Sequence, residues 1–421
     1  MLAQNSNQPL FMKSYIFTHF TRQTLHFTLF TSVSLELLLF IKMEHFYSDY
    51  KIGMLGGGQL GRMLLQAAVD YNLEIHVLDP DSDAPCKNWG TSFTTGSLTD
   101  FDTVYQFGKE MDLITIEIEN VNVDALKKLQ KEGTKVYPQP EIIEMIQDKR
   151  LQKEFYIKNN IPTAPFVRTE TKEDILKHLD LLPAVHKLGK EGYDGKGVQL
   201  INTKNDIAKG FDKPGLLEKK IDFAKELSVI VARNKDGQIS AFPTVEMVFH
   251  PTHNLVEFLF SPAEISEELH KKAEKIARGV INDIGLVGIL AVEMFLTTEG
   301  EILVNEIAPR PHNSGHQTIQ ANYTSQYEQH LRAILNMPLG ATTQHCPAAM
   351  VNLLGEPGYV GSAIFEGLEE ALNIEGVYPH LYGKKITKPF RKMGHVTILD
   401  KSIEGLKKKS DEVKNLIKII A

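Results

Sequence analysis

The sequence predicts a protein of mixed α/β and α+β class, which begins with a doubly wound parallel sheet and ends in a small β-rich part. Three features of the hydrophobic pattern support this prediction. Short apolar strands alternate with apolar-faced helices over about residues 50–140, which is typical of a parallel sheet covered by helices. Strand-like runs then follow one another over 184–307, with one long helix among them. From Pro347 onward the pattern indicates a further small set of strands and a charged terminal helix.

The first elements form a strand–helix–strand unit, because two apolar strands flank an amphipathic helix. The predicted elements of the parallel sheet are strand 51–55, helix 62–71, strand 74–78, helix 102–110, strand 113–118 and helix 124–132. The predicted elements of the next region are helix 148–160, strands 184–188, 199–201, 216–219, 226–232 and 239–242, helix 266–284 and a hairpin over 290–307. The last helix is predicted over 404–420.

Composition is that of an ordinary soluble globular protein, with 42% hydrophobic and 24% charged residues among 421. This length is enough for about two to four domains. The net charge of −7 gives no reason to expect a nucleic-acid partner. The apolar stretch 35–41 is too short to span a membrane. Cys86 and Cys346 match no metal spacing, and we expect both to be buried thiols in a reducing cytoplasm.

Residues 1–42 differ from the rest of the chain, because they are rich in Phe, Leu, Thr and Ser without a clear pattern. Polar residues interrupt the apolar run and no small-residue cleavage site follows, which argues against a signal peptide. We expect Met43 to be the native start and 1–42 to be a non-native or unstructured extension. The predicted domains are 43–145, 146–340 (in two parts, 146–220 and 221–340) and 341–421.

A glycine-rich turn joins the first strand to the first helix. Gly56, Gly58 and Gly61 have the spacing of a dinucleotide-binding loop, and the acidic Asp79 ends the second strand. Taken alone, this Rossmann-like pattern predicts an NAD- or NADP-dependent oxidoreductase. The same loop can hold the phosphate of another ligand, because its glycines let the backbone approach an anion at a helix N-terminus. It can also be a purely structural tight turn.

A second glycine-rich segment, 189–197, contains four glycines in nine residues and follows Lys187 on a predicted strand. Its backbone N–H groups and lysines suit the phosphates of a nucleoside triphosphate, with the loop acting as a lid. It does not match the GxxxxGK[ST] pattern, so a P-loop fold is not expected. A solvated surface loop is the alternative.

Two carboxylates are embedded in the predicted hairpin over 290–307. If the turn is centred between Glu299 and Gly300, Glu293 faces Glu306, and the further predicted pairs are Phe295 with Val304 and Leu296 with Leu303. Opposed like charges destabilise a hairpin unless a cation lies between them, and carboxylates are the ligands that Mg²⁺ prefers. The sequence therefore predicts that Glu293 and Glu306 bind Mg²⁺. A proton shared by the two carboxylates and a shifted register remain alternatives.

The segment 308–316 follows the hairpin and has no hydrophobic periodicity, but it is dense in hydrogen-bond donors. Its position after a metal-binding strand favours binding of an anionic substrate. His312 and His316 are four residues apart, which would suit a metal on a helix, but Pro309 and Pro311 disfavour a helix here. Further basic side chains follow near the C-terminus, either as a matching anion site or as a solvated charged strand: Lys384, Lys385, Lys388, Arg391, Lys392 and His395.

Five motifs together closely resemble the N5-carboxyaminoimidazole ribonucleotide synthase family of ATP-grasp enzymes. They are GGGQLG at 56–61, TIEIENV at 115–121, GYDGKG at 192–197, NEIAPRPHNSGH at 305–316 and YGKKITKPFRKMGH at 382–395. The resemblance covers about residues 50–400. It implies an ATP-grasp fold between a Rossmann-like domain and a small C-terminal domain. It also implies a cytoplasmic homodimer that uses ATP, two Mg²⁺ ions, bicarbonate and 5-aminoimidazole ribonucleotide in purine biosynthesis.

The resemblance also implies roles for individual residues. It places the catalytic groups at Asp194, Lys196 and Arg310. The residues implied to bind ATP are Lys149, Lys187, Gly192, Tyr193, Asp194, Gly195, Lys196, Gly197, Val198, Glu218, Lys219, Lys220, Ile221, Glu226, Asn305 and Glu306. Those implied to bind the ribonucleotide are Gln59, Tyr193, Asp194, Lys196, Arg310, His312, Asn313, Ser314, Lys384 and Arg391. Mg²⁺ is implied at Glu293 and Glu306.

The sequence departs from the family pattern at three places. Lysine replaces a frequent arginine at positions 149 and 196, which keeps the charge but loses bidentate geometry. Phe249 stands where an ATP-region histidine is expected, with His250 beside it. Phe390 replaces the glycine of the basic C-terminal motif. The alternatives in function are another ATP-grasp ligase, a non-catalytic nucleotide sensor and the oxidoreductase predicted by the first glycine loop.

Overall fold

The strands in the part of the chain that the structure describes form one parallel sheet, two antiparallel sheets and two short strand pairs. A computed structural model describes residues 49–190, 192, 197–250 and 255–421; the predicted extension 1–42 and Met43 lie outside these residues. The strands are β1 Lys51–Leu55, β2 Glu74–Asp79, β3 Ser92–Thr95, β4 Leu113–Ile116, β5 Lys135–Val136, β6 Phe166–Thr169, β7 Ala184–Leu188, β8 Val198–Ile201, β9 Gly215–Lys219, β10 Phe223–Arg233, β11 Ile239–Ala241, β12 Val245–Phe249, β13 Val256–Ser261, β14 Gly288–Thr297, β15 Ile302–Ala308, β16 Ala348–Leu354, β17 Gly361–Ser362, β18 Ile364–Glu366, β19 Val377–Leu381, β20 Ile386–Thr387, β21 Lys392–Leu399 and β22 Lys418–Ile420.

Helices pack on the faces of these sheets. They are α1 Gln59–Asp70, α2 Phe101–Gly108, α3 Val123–Lys131, α4 Pro140–Ile146, α5 Lys149–Lys158, α6 Glu267–Ile284, α7 Thr318–Ala321, α8 Gln326–Ile334, α9 Leu368–Ala371 and α10 Ile403–Leu416. Among the residues described, no helix is long and apolar enough to cross a membrane.

The N-terminal part is the predicted doubly wound domain. Its parallel strands lie in the order β3-β2-β1-β4-β5, so the strand order reverses on either side of β1. In such a sheet, ligands bind where the carboxyl ends of the strands diverge at this switch point. The first glycine loop leaves β1, and the TIEIENV segment leaves β4 beside it. Both motifs therefore meet at one edge of the sheet.

Two antiparallel sheets make up the central part, as the predicted α+β class requires. The smaller has the order β6-β9-β7-β8, and the larger runs β15-β14-β10-β12-β13-β16-β21-β19 with β11 beside β10. Helix α6 packs on the larger sheet over a core that includes Leu227, Val229, Leu290 and Val292.

The large sheet continues into the C-terminal part, because β13 pairs with β16 and β16 with β21. The predicted boundary at 340/341 therefore crosses a continuous sheet, and the boundary at 145/146 falls within α4; both stay predictions. The predicted helix 404–420 is wrong at its end. It stops at Leu416, because Lys418–Ile420 pairs with β18 as a strand and buries Ile419.

Helix α8, which the sequence analysis did not predict, ties the parallel sheet to the large sheet. His330 of α8 is fully buried, and its Nε2 lies 2.9 Å from the hydroxyl Oγ1 of Thr115 on β4. Both side chains are polar and inaccessible to solvent, so each depends on the other for a hydrogen-bond partner. This bond fixes the end of β4 against the helix that supports the 308–316 segment.

Three stacked imidazoles anchor the C-terminal strands to the same segment. The ring of His395 lies between those of His316 and His380, with centroids 4.4 Å and 4.5 Å away. The hydroxyls of Tyr327 and Tyr382 hydrogen-bond to His316 Nδ1 and His395 Nδ1, respectively. Burial lowers the pKa of all three imidazoles, that of His380 to about 4. The stack is therefore neutral at physiological pH.

We predict that Thr115→Val lowers the free energy of unfolding by about 1–3 kcal/mol, because it leaves the buried His330 nitrogen without its partner. Thr115→Ser is the matched control, since it keeps the hydroxyl. Urea unfolding of the two variants and of the wild type measures the difference. Equal midpoints for the valine and serine variants would show that the bond adds nothing to stability.

We also predict that acid destabilises the fold below pH 6.5, because the imidazole of His330 is buried in its neutral form. Burial lowers the pKa of His330 to about 3, so the unfolded chain takes up its proton first as the pH falls. Above pH 6.5, neutral His330 makes its full contribution to the free energy of unfolding. This contribution decreases as the pH falls toward 3, and about 2 kcal/mol of it is lost by pH 5. Urea midpoints from pH 7.5 to 5 should fall less steeply for His330→Gln than for His345→Gln, whose ring is exposed. Identical slopes would contradict this account.

Candidate active site

The two predicted metal ligands face each other because β15 contains a bulge. Next to the turn, Met294 pairs with Val304, so the predicted pairs of Phe295 with Val304 and of Leu296 with Leu303 are wrong by one residue. The register shifts between Glu293 and Met294, and Glu293 then pairs with Glu306, as predicted. The extra residue in β15 is Asn305, which has no partner in the ladder. The bulge thus changes the register at the point where the carboxylates come together.

The two carboxylates have opposite electrostatic surroundings. Lys149 Nζ lies 2.5 Å from Glu306 Oε2, and this charge lowers the pKa of Glu306 to about 2. Burial alone would lower the pKa of Lys149, but the Glu306 carboxylate raises it. Burial and the neighbouring charge of Glu306 raise the pKa of Glu293 to about 8. Two close carboxylates, one of them driven toward protonation, are suited to a divalent cation that would relieve the repulsion.

His312 contacts the second carboxylate rather than solvent. Its Nε2 lies 3.2 Å from Glu293 Oε1, and its Nδ1 accepts a hydrogen bond from the backbone N–H of Ser314. Because Nδ1 is an acceptor, the ring proton lies on Nε2 and faces Glu293. Burial, followed by the charge of Arg310, lowers the pKa of His312 to about 3, so the ring is neutral. His312 therefore orients Glu293 as a neutral donor.

A third carboxylate, Glu226 of β10, lies near the pair. It is adjacent to Phe295 in the ladder, and burial together with the charge of Glu306 raises its pKa to about 7. Asn305, the bulged residue, accepts a hydrogen bond from Lys187 Nζ at 3.2 Å. Lys187 is on β7 of the smaller sheet, so this bond connects the two sheets beside the carboxylates.

Lysine side chains also converge on the buried Glu218 of β9. Lys187 Nζ lies 2.8 Å from Glu218 Oε1, and Lys153 Nζ lies 2.5 Å from Glu218 Oε2. Burial would raise the pKa of Glu218, but the two ammonium groups lower it. Beyond Glu218 the chain becomes exposed at Lys219 and Lys220, and half-buried at Ile221.

The second glycine loop connects β7 to β8 in an antiparallel hairpin. Its base is closed by a hydrogen bond from the Leu188 N–H to the Gly197 carbonyl at 2.8 Å, and Gly197 has a φ of +73°. Val198 begins β8 and is exposed, and Gly192 is half-buried. Four of the predicted site residues lie outside the described part of the chain, so their roles stay predictions: Tyr193, Asp194, Gly195 and Lys196.

The 308–316 segment is held in place from both sides. Arg310 Nε lies 2.9 Å from Glu119 Oε1 of the TIEIENV segment, which connects it to the carboxyl end of β4. Ser314 is buried, and its hydroxyl lies 2.8 Å from that of Ser228, the ladder neighbour of Glu293. The amide of Gln326 on α8 bonds both the N–H and the carbonyl of His312. Asn313 begins a short 3-10 turn and is half-buried.

The first glycine loop is occupied by the chain's own carboxylates. Glu117 Oε1 accepts from the Leu60 N–H at the start of α1, and Asp79 Oδ2 accepts from the Gly57 N–H at 2.6 Å. A Cβ on Gly58 would lie 2.5 Å from Glu117 Oε1, so any other residue there would push the Glu117 carboxylate out of this position. A pyrophosphate would have to displace Glu117, and the geometry gives the oxidoreductase alternative no support. Gln59 begins α1 and is half-buried.

The C-terminal basic residues have separate surroundings. Lys384 Nζ donates to the carbonyl of Lys392, and Arg391 donates to the carbonyl of Ile386. Lys385 pairs with Asp83 of the N-terminal part at 2.9 Å, so this side chain joins two parts of the fold. The charge of Lys392 opposes the raised pKa of Glu293 and adds to the lowering of the pKa of His312.

One departure from the family motif, Phe390, contacts the residue that follows another, Phe249. Phe390 has a φ of +62°, the left-handed region in which glycine costs nothing and other residues are strained. The family glycine therefore matches a backbone requirement that this chain meets with phenylalanine. The Phe390 ring packs edge-on against His250, with centroids 6.3 Å apart, and His250 follows Phe249 at the end of β12.

Several residues of the site were not assigned by the sequence analysis. Lys153 and Gln326 had no motif to mark them, since each belongs to an amphipathic helix. Glu119 was noticed only as part of a strand end, and Lys392 only as one of the basic C-terminal residues. What could have found Glu119 is the rule that the carboxyl ends of neighbouring parallel strands meet at one edge of a sheet.

Comparison with known protein families gives three matches along the chain. A ribonucleotide synthetase preATP-grasp domain matches residues 50–147, an ATP-grasp domain matches 154–327, and a phosphoribosylaminoimidazole carboxylase C-terminal domain matches 348–409. Their order agrees with the doubly wound sheet, the central pair of sheets and the C-terminal strands described above.

Relatives and solved structures agree with these matches. The N5-carboxyaminoimidazole ribonucleotide synthase of Bacillus subtilis is 38% identical over 84% of this chain and 92% of its own length. The phosphoribosylaminoimidazole carboxylase of Candida glabrata is 39% identical, and the chain spans only 65% of its length. The N5-carboxyaminoimidazole ribonucleotide synthetase structure from Thermotoga maritima has a TM-score of 0.83 and 43% identity, covering 89% of this chain and all of that one. The chain belongs to the N5-carboxyaminoimidazole ribonucleotide synthase family of ATP-grasp enzymes.

Proposed function

We propose that this chain catalyses the ATP-dependent carboxylation of 5-aminoimidazole ribonucleotide by bicarbonate, with release of ADP and phosphate. The observation that carries the proposal is the position of the Glu293–Glu306 pair. Lys149 of α5 pairs with Glu306, Lys187 of β7 bonds the adjacent Asn305, and His312 of the 310–314 segment contacts Glu293. The proposal is further supported by the Aspergillus clavatus N5-carboxyaminoimidazole synthase, solved with ADP and 5-aminoimidazole ribonucleotide, at 33% identity and a TM-score of 0.79 over 87% of this chain and 98% of that one.

The proposed reaction has two steps. A bicarbonate oxygen attacks the γ-phosphorus, the bond to the β-phosphate oxygen breaks, and carboxyphosphate and ADP form. The 5-amino nitrogen then bonds to the carboxyl carbon, either of carboxyphosphate or of CO₂ released from it. The bond between that carbon and the phosphate oxygen breaks, phosphate leaves, and the nitrogen gives up one proton to phosphate or solvent. Lys149 and Lys187 neutralise the phosphates through fixed ammonium groups, and Arg310 holds the substrate side.

Mg²⁺ is part of the proposal, with Glu293 and Glu306 as its protein ligands. A bound Mg²⁺ supplies charge neutralisation for the transferred phosphoryl group. The fit is supported by the opposed carboxylates and by the raised pKa of Glu293, which burial and the charge of Glu306 produce. His312 keeps the Glu293 carboxylate oriented through its Nε2–H. The bulged Asn305 faces Lys187 and so keeps the lysine beside the pair.

The remaining assignments of ATP and ribonucleotide contacts are proposed from the resemblance. The 189–197 loop covers the phosphates, Glu218 and the following residues contact the adenine, and Glu226 contacts the ribose. Gln59, Asn313, Ser314, Lys384 and Arg391 bind the ribonucleotide. A cytoplasmic location and a homodimer also belong to the proposal and rest on the resemblance alone.

We predict that ADP release by the protein depends on both bicarbonate and 5-aminoimidazole ribonucleotide. A coupled ADP assay with each substrate omitted in turn measures this, because only the joint reaction consumes carboxyphosphate productively. ATP hydrolysis that does not respond to the ribonucleotide would favour another ATP-grasp ligase. Binding of Mg·ATP without any turnover would favour the nucleotide sensor.

We predict that Glu306→Gln lowers kcat by on the order of 100-fold or more, since it removes a charge that balances Lys149 and would hold Mg²⁺. Glu301→Gln, at an exposed position beside the turn of the same hairpin, is the matched control and should keep wild-type activity. The same assay at saturating ATP and Mg²⁺ compares the three proteins. Wild-type turnover in Glu306→Gln would refute the metal role.

A further inference from the structure

Lys153 of α5 is a buried lysine that no part of the proposed mechanism uses. Its residue is 3% exposed, and a charge at such a position is costly unless it is paired. Its Nζ lies 2.5 Å from Glu218 Oε2, while Lys187 takes the other oxygen of the same carboxylate at 2.8 Å. The buried Glu218 carboxylate thus pairs with Lys187, which is proposed to bind ATP, and with Lys153, which has no assigned role.

The same ammonium group also reaches the large sheet. Lys153 Nζ donates to Thr163 Oγ1 at 2.5 Å, and the Thr163 hydroxyl donates to the carbonyl of Val304 at 2.8 Å. Val304 is on β15, directly before the bulged Asn305. The N–H of Val304 in turn donates to the Pro162 carbonyl at 2.7 Å. Both backbone polar groups of Val304 are therefore hydrogen-bonded to residues 162 and 163.

Two chains of contacts therefore run from Lys153 to the same bulge. One passes through Glu218 and Lys187 to Asn305, and the other through Thr163 to Val304. The first chain crosses the smaller sheet and the second reaches the larger sheet directly. Lys153 is therefore connected to residues 304 and 305 of β15 by two separate routes.

We propose that Lys153 is a positioning residue for ATP, which holds Lys187 toward the triphosphate by sharing Glu218 and fixes the smaller sheet against the β15 bulge. This inference rests on the proposed function, because it deepens the role of the same ATP site. Without Lys153, the buried Glu218 carboxylate keeps one lysine partner among the residues that the structure describes, Lys187. Glu218 then holds Lys187 more tightly, and less of its charge is available to the phosphates.

The electrostatic surroundings of Lys153 are asymmetric. Burial lowers its pKa to about 8, and the charges of Lys187 and Lys149 act in the same direction against the opposing effect of Glu218. The rings of Tyr156 and Phe166 face the ammonium group with centroids 5.6 Å and 5.9 Å away. Alkaline pH therefore removes the Lys153 charge, and the KM for ATP should rise above about pH 8.

The test compares KM for ATP, KM for the ribonucleotide and kcat in the wild type and in Lys153→Met, Lys153→Arg and Thr163→Val. Lys153→Met should raise the KM for ATP on the order of 10-fold and leave the KM for the ribonucleotide within about 2-fold. Lys153→Arg should restore much of the ATP affinity, because it keeps the charge. Thr163→Val should have an intermediate effect, since it removes the two hydrogen bonds of the Thr163 hydroxyl but leaves the contacts through Glu218 intact.

Lys158→Met is the matched control, because Lys158 is on the same helix and exposed. It should match the wild type in all three constants. The pH profile adds a measurement that a merely structural role would not change. The rise in KM for ATP above pH 8 should be present in the wild type and absent in Lys153→Met.

The inference and the proposed function can fail separately. Calorimetric binding of Mg·ATP needs no carboxylation, so it tests Lys153 even if ADP release does not respond to the ribonucleotide. An unchanged KM or Kd for ATP in Lys153→Met, or an equal rise in both KM values, would overturn the positioning role. If Lys153→Met does not fold, the wild-type pH profile and Thr163→Val decide: a flat KM for ATP up to pH 9 together with a wild-type KM in Thr163→Val would overturn it.

Discussion

The site depends on one irregularity, the bulge at Asn305 in β15. A regular hairpin with the register seen near the turn would not place Glu293 opposite Glu306, because successive side chains alternate between the two faces of a sheet. The extra residue corrects the register by one position and directs both carboxylates to the same place. It also leaves Asn305 outside the ladder, where it accepts a hydrogen bond from Lys187. The opposed pair of carboxylates and its connection to the lysines thus have a common structural origin.

Around this pair, residues from all three parts of the fold come together. The doubly wound sheet contributes Glu119, which pairs with Arg310 at the carboxyl end of β4. The smaller antiparallel sheet contributes Lys187 and Glu218, and the C-terminal part contributes Lys392. In the first glycine loop, the N–H groups of Leu60 and Gly57 donate to Glu117 and Asp79, so the shape of the loop does not depend on a nucleotide. Buried neutral histidines hold the C-terminal strands against the 308–316 segment, so stability and the shape of the site depend on the same residues.

Much of this could be predicted from the sequence, because strong periodicity and local motifs specify it. The strands β1 and β7 have the predicted bounds. The predicted pair of Glu293 with Glu306 is confirmed, but only because the bulge offsets a one-residue error in the register predicted from the turn. The pairing next to that turn was wrong, because a bulge adds a residue that hydrophobic alternation does not reveal. Helix α8 and Lys153 were missed for another reason. Their importance arises from tertiary contacts with Thr115, His312 and Glu218, and these contacts leave no local pattern.

The central claim is that Glu293 and Glu306 together bind a divalent cation with the nucleotide. The most direct measurement is the affinity for Mn²⁺ in the presence of ADP, determined by electron paramagnetic resonance for the wild type and Glu293→Gln. We expect the variant to lose on the order of 10-fold or more in Mn²⁺ affinity, because one of two carboxylate ligands is gone while the fold is retained. The same affinity in both proteins would contradict the claim and would leave the opposed carboxylates without a metal.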